Sequence, residues 1–478
     1  MFDACFSPRR ELGTEKLELL YQRTGTPLHV SYALPQLRAF YANPKNQPIA
    51  KQIDRWQTLS TICLNRWLGN PCIQMPISYS EASWTGMFDF RSCSWDDEAS
   101  NLLENCPGIT RYEEKYEEED EIYKDEHIEL LPPLADFDTL LPILKEGVCQ
   151  FNQDGSDNVY WRNWPEFRAQ TLSLFLGIGD GAAANLGTKC GPGRTVSTTG
   201  ERPQQRIAVT IGTSAAARVC LPLPSASAVK IYVPAGLFCY RVNRDTILLG
   251  GALTDGGSVV EWARSLLNLQ SPESFDACMT QVADMYNERC SRTSQDVDVT
   301  MVPFLSGERS TGYRTGARAC ISGLTRDSTS NDFMYASLES VVLRLGQVLR
   351  LISEACATQR LLRDATNFDG ANVENMLVAS GTALERNALW RRMLADCTSL
   401  DVMVDGDSAE EAASRGVAML LAASLQEAGE CNKRVYGDIE QPLVVADETK
   451  HNPIAVEHWN KRLKSQESVL DAISSTWK

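Results

Sequence analysis

The stretch SLFLGIGDGAAANLGTKCG, residues 173–191, sets one aspartate among glycines. Gly177 and Gly179 precede Asp180, Gly181 follows it, and a run of small residues comes next. Glycine lets a ligand approach the backbone closely. A carboxylate at such a point can accept the proton of a hydroxyl group as its oxygen attacks phosphorus. Asp180 is therefore a candidate general base.

Two other interpretations of the same stretch remain open. Gly177, Gly179 and Ala182 fit the G-x-G-x-x-A pattern of a dinucleotide-binding loop. Asp180 would then place a carboxylate beside the pyrophosphate, and no strand ending in an acidic residue follows about 20 residues later, as that fold requires. In the other interpretation, Asp180 only caps a helix that begins at the small residues.

The surrounding pattern predicts the elements that position this loop. The apolar run before Gly177 predicts a buried strand that ends at Asp180. IAVTIG and AAARVCL flank the turn at residues 212–214 and predict a β-hairpin. Residues 338–352 carry apolar side chains at helical spacing and predict an amphipathic helix. After it, the strand MLVAS and the helix GTALERNALWRRMLADC predict an α/β second half.

Composition excludes several classes of partner. The chain has 478 residues, 43% of them hydrophobic, and a net charge of −16, which disfavours nucleic acid because phosphates would be repelled. GVAMLLAASL is too short to span a membrane. The 15 scattered cysteines predict reduced core thiols and a cytoplasmic location. Residues 112–129 form a dense acidic run, which predicts an exposed insertion.

Further motifs follow in a fixed order: GDGAAANLG, TIGTSAAARV, LLGGALTDGGSVVEW, VPFLSGERSTGYRTGAR, LVASGTALERNALWRRMLAD and EEAASRGVAML. With these motifs the sequence resembles the FGGY carbohydrate kinases, most closely the gluconokinase-like branch. The resemblance implies an α/β kinase with the two-domain actin-like ATPase (ribonuclease H-like) fold. It implies a sugar-binding domain at 1–200 and a nucleotide-binding domain at 201–478. ATP, Mg²⁺ and a sugar or sugar acid are the implied ligands, with a homodimer as a possible assembly.

The resemblance also implies roles residue by residue. Asp180 matches the base that takes the proton from the sugar hydroxyl. The positions implied to bind ATP are Gly212, Thr213, Ser214, Gly256, Gly257, Gly381, Thr382, Arg386 and Asn387. The positions implied to bind the substrate are Ser83, Thr85, Asp89 and Gly181.

The sequence also departs from the family pattern. Thr382 stands where the family has a second glycine, although a β-branched residue rarely takes positive φ. Arg392 replaces a glutamine. The family's Asp-x-Gly-Thr phosphate loop has no counterpart before RTGTPLH, so the N-terminal domain is expected to be truncated. Two alternative functions follow: an inactive remnant or pseudokinase that binds a nucleotide or a partner, and a plain ATPase of the actin-like fold.

Overall fold

The computed structural model describes ten stretches of the chain: residues 2–67, 75–106, 130–139, 174–192, 204–223, 231–291, 299–364, 374–406, 411–427 and 445–477. The acidic run predicted to be an exposed insertion, 112–129, lies outside them.

Contacts between residues divide the chain into two compact units. The first unit comprises Met1–Ala182, Leu223–Ser227 and Cys239–Ile247. The second unit comprises Ala183–Pro222, Ala228–Phe238 and Leu248–Lys478. The domains drawn from the sequence, 1–200 and 201–478, stay a prediction.

Helices dominate the described part of the first unit. They are α1 (Phe2–Thr24), α2 (Ala33–Ala42), α3 (Gln47–Ala50), α4 (Leu59–Trp67), α5 (Tyr79–Ser83) and α6 (Asp97–Glu104). The short strands are β1 (Ile77–Ser78), β2 (Phe88–Asp89), β3 (Ser94–Trp95) and β4 (Leu134–Ala135). Strand β1 pairs with β4 in parallel, and β2 pairs with β3 antiparallel. A core of buried residues that includes Leu20, Leu34, Tyr41, Met87 and Leu103 holds α1, α2 and α6 together.

The later elements begin with successive strands and continue as a mixture of helices and strands, as the sequence predicts for an α/β second half. The helices are α7 (Asp180–Gly187), α8 (Gly257–Leu266), α9 (Pro272–Ser291), α10 (Ser330–Asp364), α11 (Thr382–Arg386), α12 (Ala388–Thr398), α13 (Ala412–Glu427) and α14 (Val456–Ser474). The strands are β5 (Gln204–Ile211), β6 (Ala215–Pro222), β7 (Phe238–Asn243), β8 (Thr246–Leu253), β9 (Thr300–Val302), β10 (Cys320–Ser322), β11 (Glu374–Ser380), β12 (Val402–Asp405) and β13 (Val445–Thr449).

The principal sheet has the strand order β13-β12-β11-β5-β6-β8-β7. Strands β5, β11 and β12 run parallel to one another, whereas β6 and β13 run antiparallel to their neighbours β5 and β12. The carboxyl ends of β5 and β11 therefore lie side by side at one edge. Loops at that edge of an open α/β sheet are where ligands usually bind.

The amphipathic helix predicted from the sequence is confirmed within α10. Seven apolar residues of its predicted face are at most 1% exposed: Leu338, Val341, Val342, Leu345, Val348, Leu349 and Ile352. The hairpin predicted around residues 212–214 is confirmed as β5–β6. The single helix predicted after Gly381 is in fact two helices, because Asn387 is extended and its side chain caps α12 by accepting a hydrogen bond from the Trp390 amide at 3.0 Å.

Among the residues that the structure describes, no helix combines the length and the apolar character that a membrane crossing needs.

Candidate active site

Asp180 begins helix α7 and its side chain is exposed. Its Oδ1 accepts a hydrogen bond from the Gly181 amide at 2.6 Å. Its Oδ2 has no hydrogen-bond partner in the described part of the chain. The helix starts at Asp180 itself, so Asp180 occupies the first helical position rather than the cap position before it. One carboxylate oxygen is thus available to a ligand.

The loop that leads to Asp180 is not the buried strand predicted from the sequence, because residues 174–179 belong to no strand. Hydroxyl groups from the β1–α5 turn bind its backbone instead. Ser78 Oγ donates to the Gly177 carbonyl at 2.5 Å, and the Gly179 amide donates to Ser80 Oγ at 3.0 Å. These side chains take the hydrogen bonds that a neighbouring strand would otherwise make.

The two glycines before Asp180 have different roles. A Cβ atom at Gly177 would lie 2.7 Å from Ser60 Oγ and 2.9 Å from a Glu81 carboxylate oxygen, so this position must be glycine for packing reasons. A Cβ atom at Gly179 would meet Ser80 Oγ at an ordinary 3.5 Å. Close approach of protein atoms, rather than of a ligand, therefore accounts for Gly177.

Glu81 supports this loop and was missed from the sequence. Its amide donates to Ser78 Oγ at 3.1 Å, and its carboxylate accepts hydrogen bonds from Ser60 Oγ at 2.6 Å and Thr58 Oγ1 at 3.2 Å. Burial raises the pKa of Glu81, and the two hydroxyl hydrogen bonds partly offset that effect. The signal in the sequence is the Ser-x-x-Glu pattern of a capping box at residues 78–81. Here the glutamate binds two hydroxyl groups of a neighbouring segment.

Ser83 and Thr85, both implied to bind substrate, are buried and hydrogen-bonded within the protein. Ser83 Oγ donates to the Tyr79 carbonyl and accepts from the Arg241 amide, both at 2.8 Å. Thr85 Oγ1 donates to the Ala82 carbonyl at 2.7 Å. Both hydroxyls stabilise the turn after α5, and their contact with a substrate stays a prediction.

Asp89 and Gly181, the other positions implied to bind substrate, are both half-buried. Asp89 Oδ1 accepts a hydrogen bond from the Arg91 amide at 2.8 Å, which closes a local turn. The Gly181 amide is engaged by Asp180. Their contact with a substrate also stays a prediction.

The small residues after Asp180 let α7 pack very closely against α13. A Cβ atom at Gly187 would lie 1.7 Å from the Ala412 carbonyl oxygen, and one at Gly416 would lie 1.8 Å from the Ala183 carbonyl oxygen. Arg415 Nε also donates to the Gly187 carbonyl at 2.6 Å. The motif SRGVAM in α13 is thereby explained as a backbone-to-backbone contact that fixes the helix beginning at Asp180.

Replacing Gly416 by alanine is expected to lower the free energy of unfolding by about 1–3 kcal/mol or more, because the new methyl group would force the two backbones apart. Urea denaturation measures the change. Gly191→Ala is the matched control, since its Cβ would meet only Leu186 Cδ2 at 3.8 Å. Equal stability of the two variants would contradict the close helix contact.

In the second unit, the turn at residues 212–214 offers hydrogen-bond donors to a ligand. All three residues are exposed. The Gly212 amide donates to the Ser214 carbonyl at 2.9 Å, which closes the turn. Within the described stretches, the amides and hydroxyls of Thr213 and Ser214 have no partner. Successive free amides with adjacent hydroxyls are a suitable arrangement for phosphate oxygens.

The glycine pair Gly256–Gly257 holds this turn in place. The Gly256 amide donates to the Thr213 carbonyl at 2.9 Å, and the Gly257 amide donates to the Gly212 carbonyl at 2.8 Å. Cβ atoms there would lie 2.6 Å from the Ser214 carbonyl and 2.7 Å from the Gly212 oxygen. Both amides donate hydrogen bonds to carbonyl groups of the turn, so the glycine pair fixes the position of the turn.

Asp255, next to this pair, is 6% exposed and ties it to a second loop. Its carboxylate accepts hydrogen bonds from the Ser306 amide at 2.7 Å, from Ser306 Oγ at 3.1 Å and from Ser258 Oγ at 3.3 Å. Ser306 belongs to the motif FLSGERSTGYR, so this motif supports the start of α8.

The loop implied to bind adenosine lies beside the 212–214 turn, because β11 pairs with β5 in parallel. Gly381 has φ +89°, and a Cβ atom there would lie 2.8 Å from the Ile211 carbonyl oxygen. The hydroxyls of Thr210 and Ser380 form a hydrogen bond of 2.7 Å across the two strand ends. Thr382 starts α11 with ordinary helical backbone, so only the first of the family's two glycines needs positive φ.

The remaining residues of this loop separate into exposed and structural positions. Arg386 is exposed and Asn387 is half-buried, with its Oδ1 occupied as a helix cap. Arg392, which replaces the family's glutamine, donates to Asn287 Oδ1 at 2.6 Å and stacks over the Tyr286 ring at 5.0 Å. Arg392 therefore links α12 to α9.

These residues fit ATP, because exposed donors and two loops lie at the carboxyl ends of adjacent parallel strands. Within the described ranges, no group of three or more His, Cys, Asp or Glu side chains could hold a metal ion. Mg²⁺ does not require such a group, since it is commonly held by one or two carboxylates together with substrate phosphates.

Comparison with known sequences identifies relatives of this chain. Residues 207–425 match the C-terminal domain of the FGGY family of carbohydrate kinases. The gluconokinases of Bacillus subtilis (strain 168) and Bacillus licheniformis are each 25% identical over 386 residues. These matches cover 80% of this chain and 61% of each relative, so the chain spans less than two thirds of their length.

Solved structures show the same fold. The gluconate kinase from Lactobacillus acidophilus superposes with a TM-score of 0.68 at 19% identity, over 99% of this chain and 79% of that one. Plasmodium falciparum glycerol kinase with ADP superposes with a TM-score of 0.61 at 15% identity, over 99% and 78%. The fold is thus the α/β actin-like ATPase fold of these sugar kinases. Together with the motifs and the matched domain, it shows that the chain is similar to the FGGY family of carbohydrate kinases.

Proposed function

We propose that this chain transfers the γ-phosphoryl group of ATP to a hydroxyl group of a sugar or sugar acid, with gluconate as the first candidate. The observation that carries the proposal is the exposed Asp180 carboxylate, one oxygen of which has no partner among the described residues, in a chain whose residues 207–425 match a carbohydrate-kinase domain. The gluconokinase relatives suggest a sugar acid as acceptor.

In this reaction the acceptor hydroxyl oxygen attacks the γ-phosphorus. The bond between that phosphorus and the bridging oxygen of ADP breaks, and the hydroxyl proton passes to Asp180 Oδ2. Phosphoryl transfer depends on positioning and charge stabilisation rather than on covalent catalysis by the protein. Mg²⁺, when bound with ATP, neutralises charge on the phosphates.

The second unit supplies the proposed ATP contacts. The amides and hydroxyls of Thr213 and Ser214 bind the phosphates, and Gly256–Gly257 keep their turn in position. Thr382, Arg386 and Asn387 bind the adenosine. The support is the exposure of the turn and the shared sheet edge of β5 and β11.

The substrate class can be tested by assaying ADP release with gluconate, xylulose, ribulose and glycerol as acceptors. Gluconate is expected to give the highest kcat/KM. A clear preference for glycerol or a ketopentose would contradict a sugar-acid substrate. Binding of ATP without turnover on any acceptor would contradict the kinase proposal and favour the nucleotide-binding pseudokinase.

A further inference from the structure

Trp84 is a large exposed aromatic side chain between Ser83 and Thr85, two positions that the resemblance implies to bind substrate. It is 41% exposed, although its neighbours Ser83 and Thr85 are buried. Neither its ring nor its indole N–H has a partner in the described part of the chain. By contrast, Trp56 and Trp95 of the same unit donate hydrogen bonds of 3.0 and 2.9 Å to protein oxygens. Folding of the first unit therefore makes little use of the Trp84 indole.

The position of Trp84 relates it to Asp180. Trp84 is the C-cap of α5, with φ −87° and ψ 7°, and it follows Ser80 at the i+4 spacing. Residues at this spacing lie on one helix face, and the Cα–Cβ bond of the later residue tilts towards the earlier one. Ser80 Oγ accepts the amide hydrogen of Gly179, the residue before Asp180. Trp84 therefore lies on the face of α5 that holds the Asp180 loop.

An exposed indole in this place has the chemistry to bind a carbohydrate. Polyhydroxylated carbon chains carry C–H groups between their hydroxyls, and the electron-rich face of an aromatic ring attracts such weakly positive edges. The indole N–H adds one hydrogen-bond donor, which suits a hydroxyl or carboxylate oxygen. The hydroxyls of Ser83 and Thr85 already donate hydrogen bonds to backbone carbonyls of the protein. The exposed Trp84 indole is therefore the better candidate for contact with the acceptor.

We propose that Trp84 is a specificity-determining residue for the acceptor: its indole ring packs against the carbon chain of the sugar or sugar acid and presents the reacting hydroxyl to Asp180. This inference rests on the function proposed above.

The kinetic test compares Trp84→Ala and Trp84→Phe with the unchanged chain on the same four acceptors. Trp84→Ala is expected to raise the acceptor KM about 10-fold or more, because it loses both ring packing and buried area. The KM for ATP is expected to stay unchanged, and Trp84→Phe should retain most of the affinity. Ile49→Ala, which truncates another apolar side chain of the first unit that is 59% exposed, is the control without effect. An unchanged acceptor KM in Trp84→Ala would overturn the inference.

A binding test separates this inference from the kinase activity. In the ¹⁵N-labelled chain, the indole NMR signal missing from Trp84→Phe belongs to Trp84. Titration with gluconate is expected to shift that signal and to leave the signal of the buried Trp459 in place. A shift without turnover would support the inference and count against the kinase proposal. No shift with any of the four acceptors would overturn the inference, whether or not the chain is active.

Discussion

Asp180→Asn is expected to lower kcat about 10²–10⁴-fold, because the amide can no longer accept the proton of the attacking hydroxyl. Binding of ATP and of the acceptor should change little. Among the residues that the structure describes, the exposed side chain makes one hydrogen bond, from the Gly181 amide at 2.6 Å, and an amide oxygen can accept that bond as well. Steady-state kinetics and calorimetric titration with each ligand measure the two effects separately.

The matched control for Asp180→Asn is Asp97→Asn. Asp97 is also exposed and also begins a helix of the first unit, α6, so it tests the loss of a carboxylate at a helix start without the proposed chemistry. Asp97→Asn should keep full turnover. Near-normal turnover in Asp180→Asn would reduce Asp180 to a residue that only stabilises the start of α7.

Arg462→Met is expected to lower the free energy of unfolding by about 3–5 kcal/mol, because it leaves a buried carboxylate without its counter-ion. Arg462 Nε and Nη2 donate to the two oxygens of Glu339 at 2.8 and 2.6 Å, and Nη2 also donates to the Val299 carbonyl at 2.8 Å. Glu339 is 1% exposed. This pair docks α14 onto α10, and urea denaturation measures its contribution.

Two further variants make the Arg462 prediction specific. Lys461→Met removes the neighbouring cation of the same helix, which is exposed and pairs with Glu457 at 3.1 Å, and should cost only about 0.3–0.5 kcal/mol. Combining Glu339→Leu with Arg462→Met should recover most of the lost stability, because a buried ion pair can often be replaced by apolar side chains. Equal decreases in the free energy of unfolding for Arg462→Met and Lys461→Met would show that the buried ion pair stabilises the fold no more than the exposed one.

Local patterns predicted the individual elements well where side-chain periodicity and turn residues decide the structure. The apolar spacing of residues 338–352 predicts the buried face of α10, and a Gly-Thr-Ser turn between two apolar runs predicts the β5–β6 hairpin. The pattern failed at residues 174–179. An apolar run predicts burial, but whether its backbone pairs with a strand or with hydroxyls depends on its neighbours, here Ser78 and Ser80.

The sequence by itself indicated a resemblance to the FGGY carbohydrate kinases, because several motifs in a fixed order are far more specific than any one of them. It also determined which residue types could act: a carboxylate among glycines at Asp180, and hydroxyls in the turn at Thr213 and Ser214. These conclusions need only residue identity and spacing along the chain.

Only the tertiary structure decided what surrounds those residues. It showed that the amides of Gly256 and Gly257 are used to hold the turn at residues 212–214, and that Gly187 and Gly416 let two helix backbones meet. It also left the Trp84 side chain 41% exposed while burying Ser83 and Thr85 on either side of it. The physical reason is that hydrogen bonds and close backbone contacts join residues that are far apart in the sequence, so they depend on how the whole chain folds. The partners Arg415 and Gly187 are separated by 228 positions, a distance over which no local pattern acts.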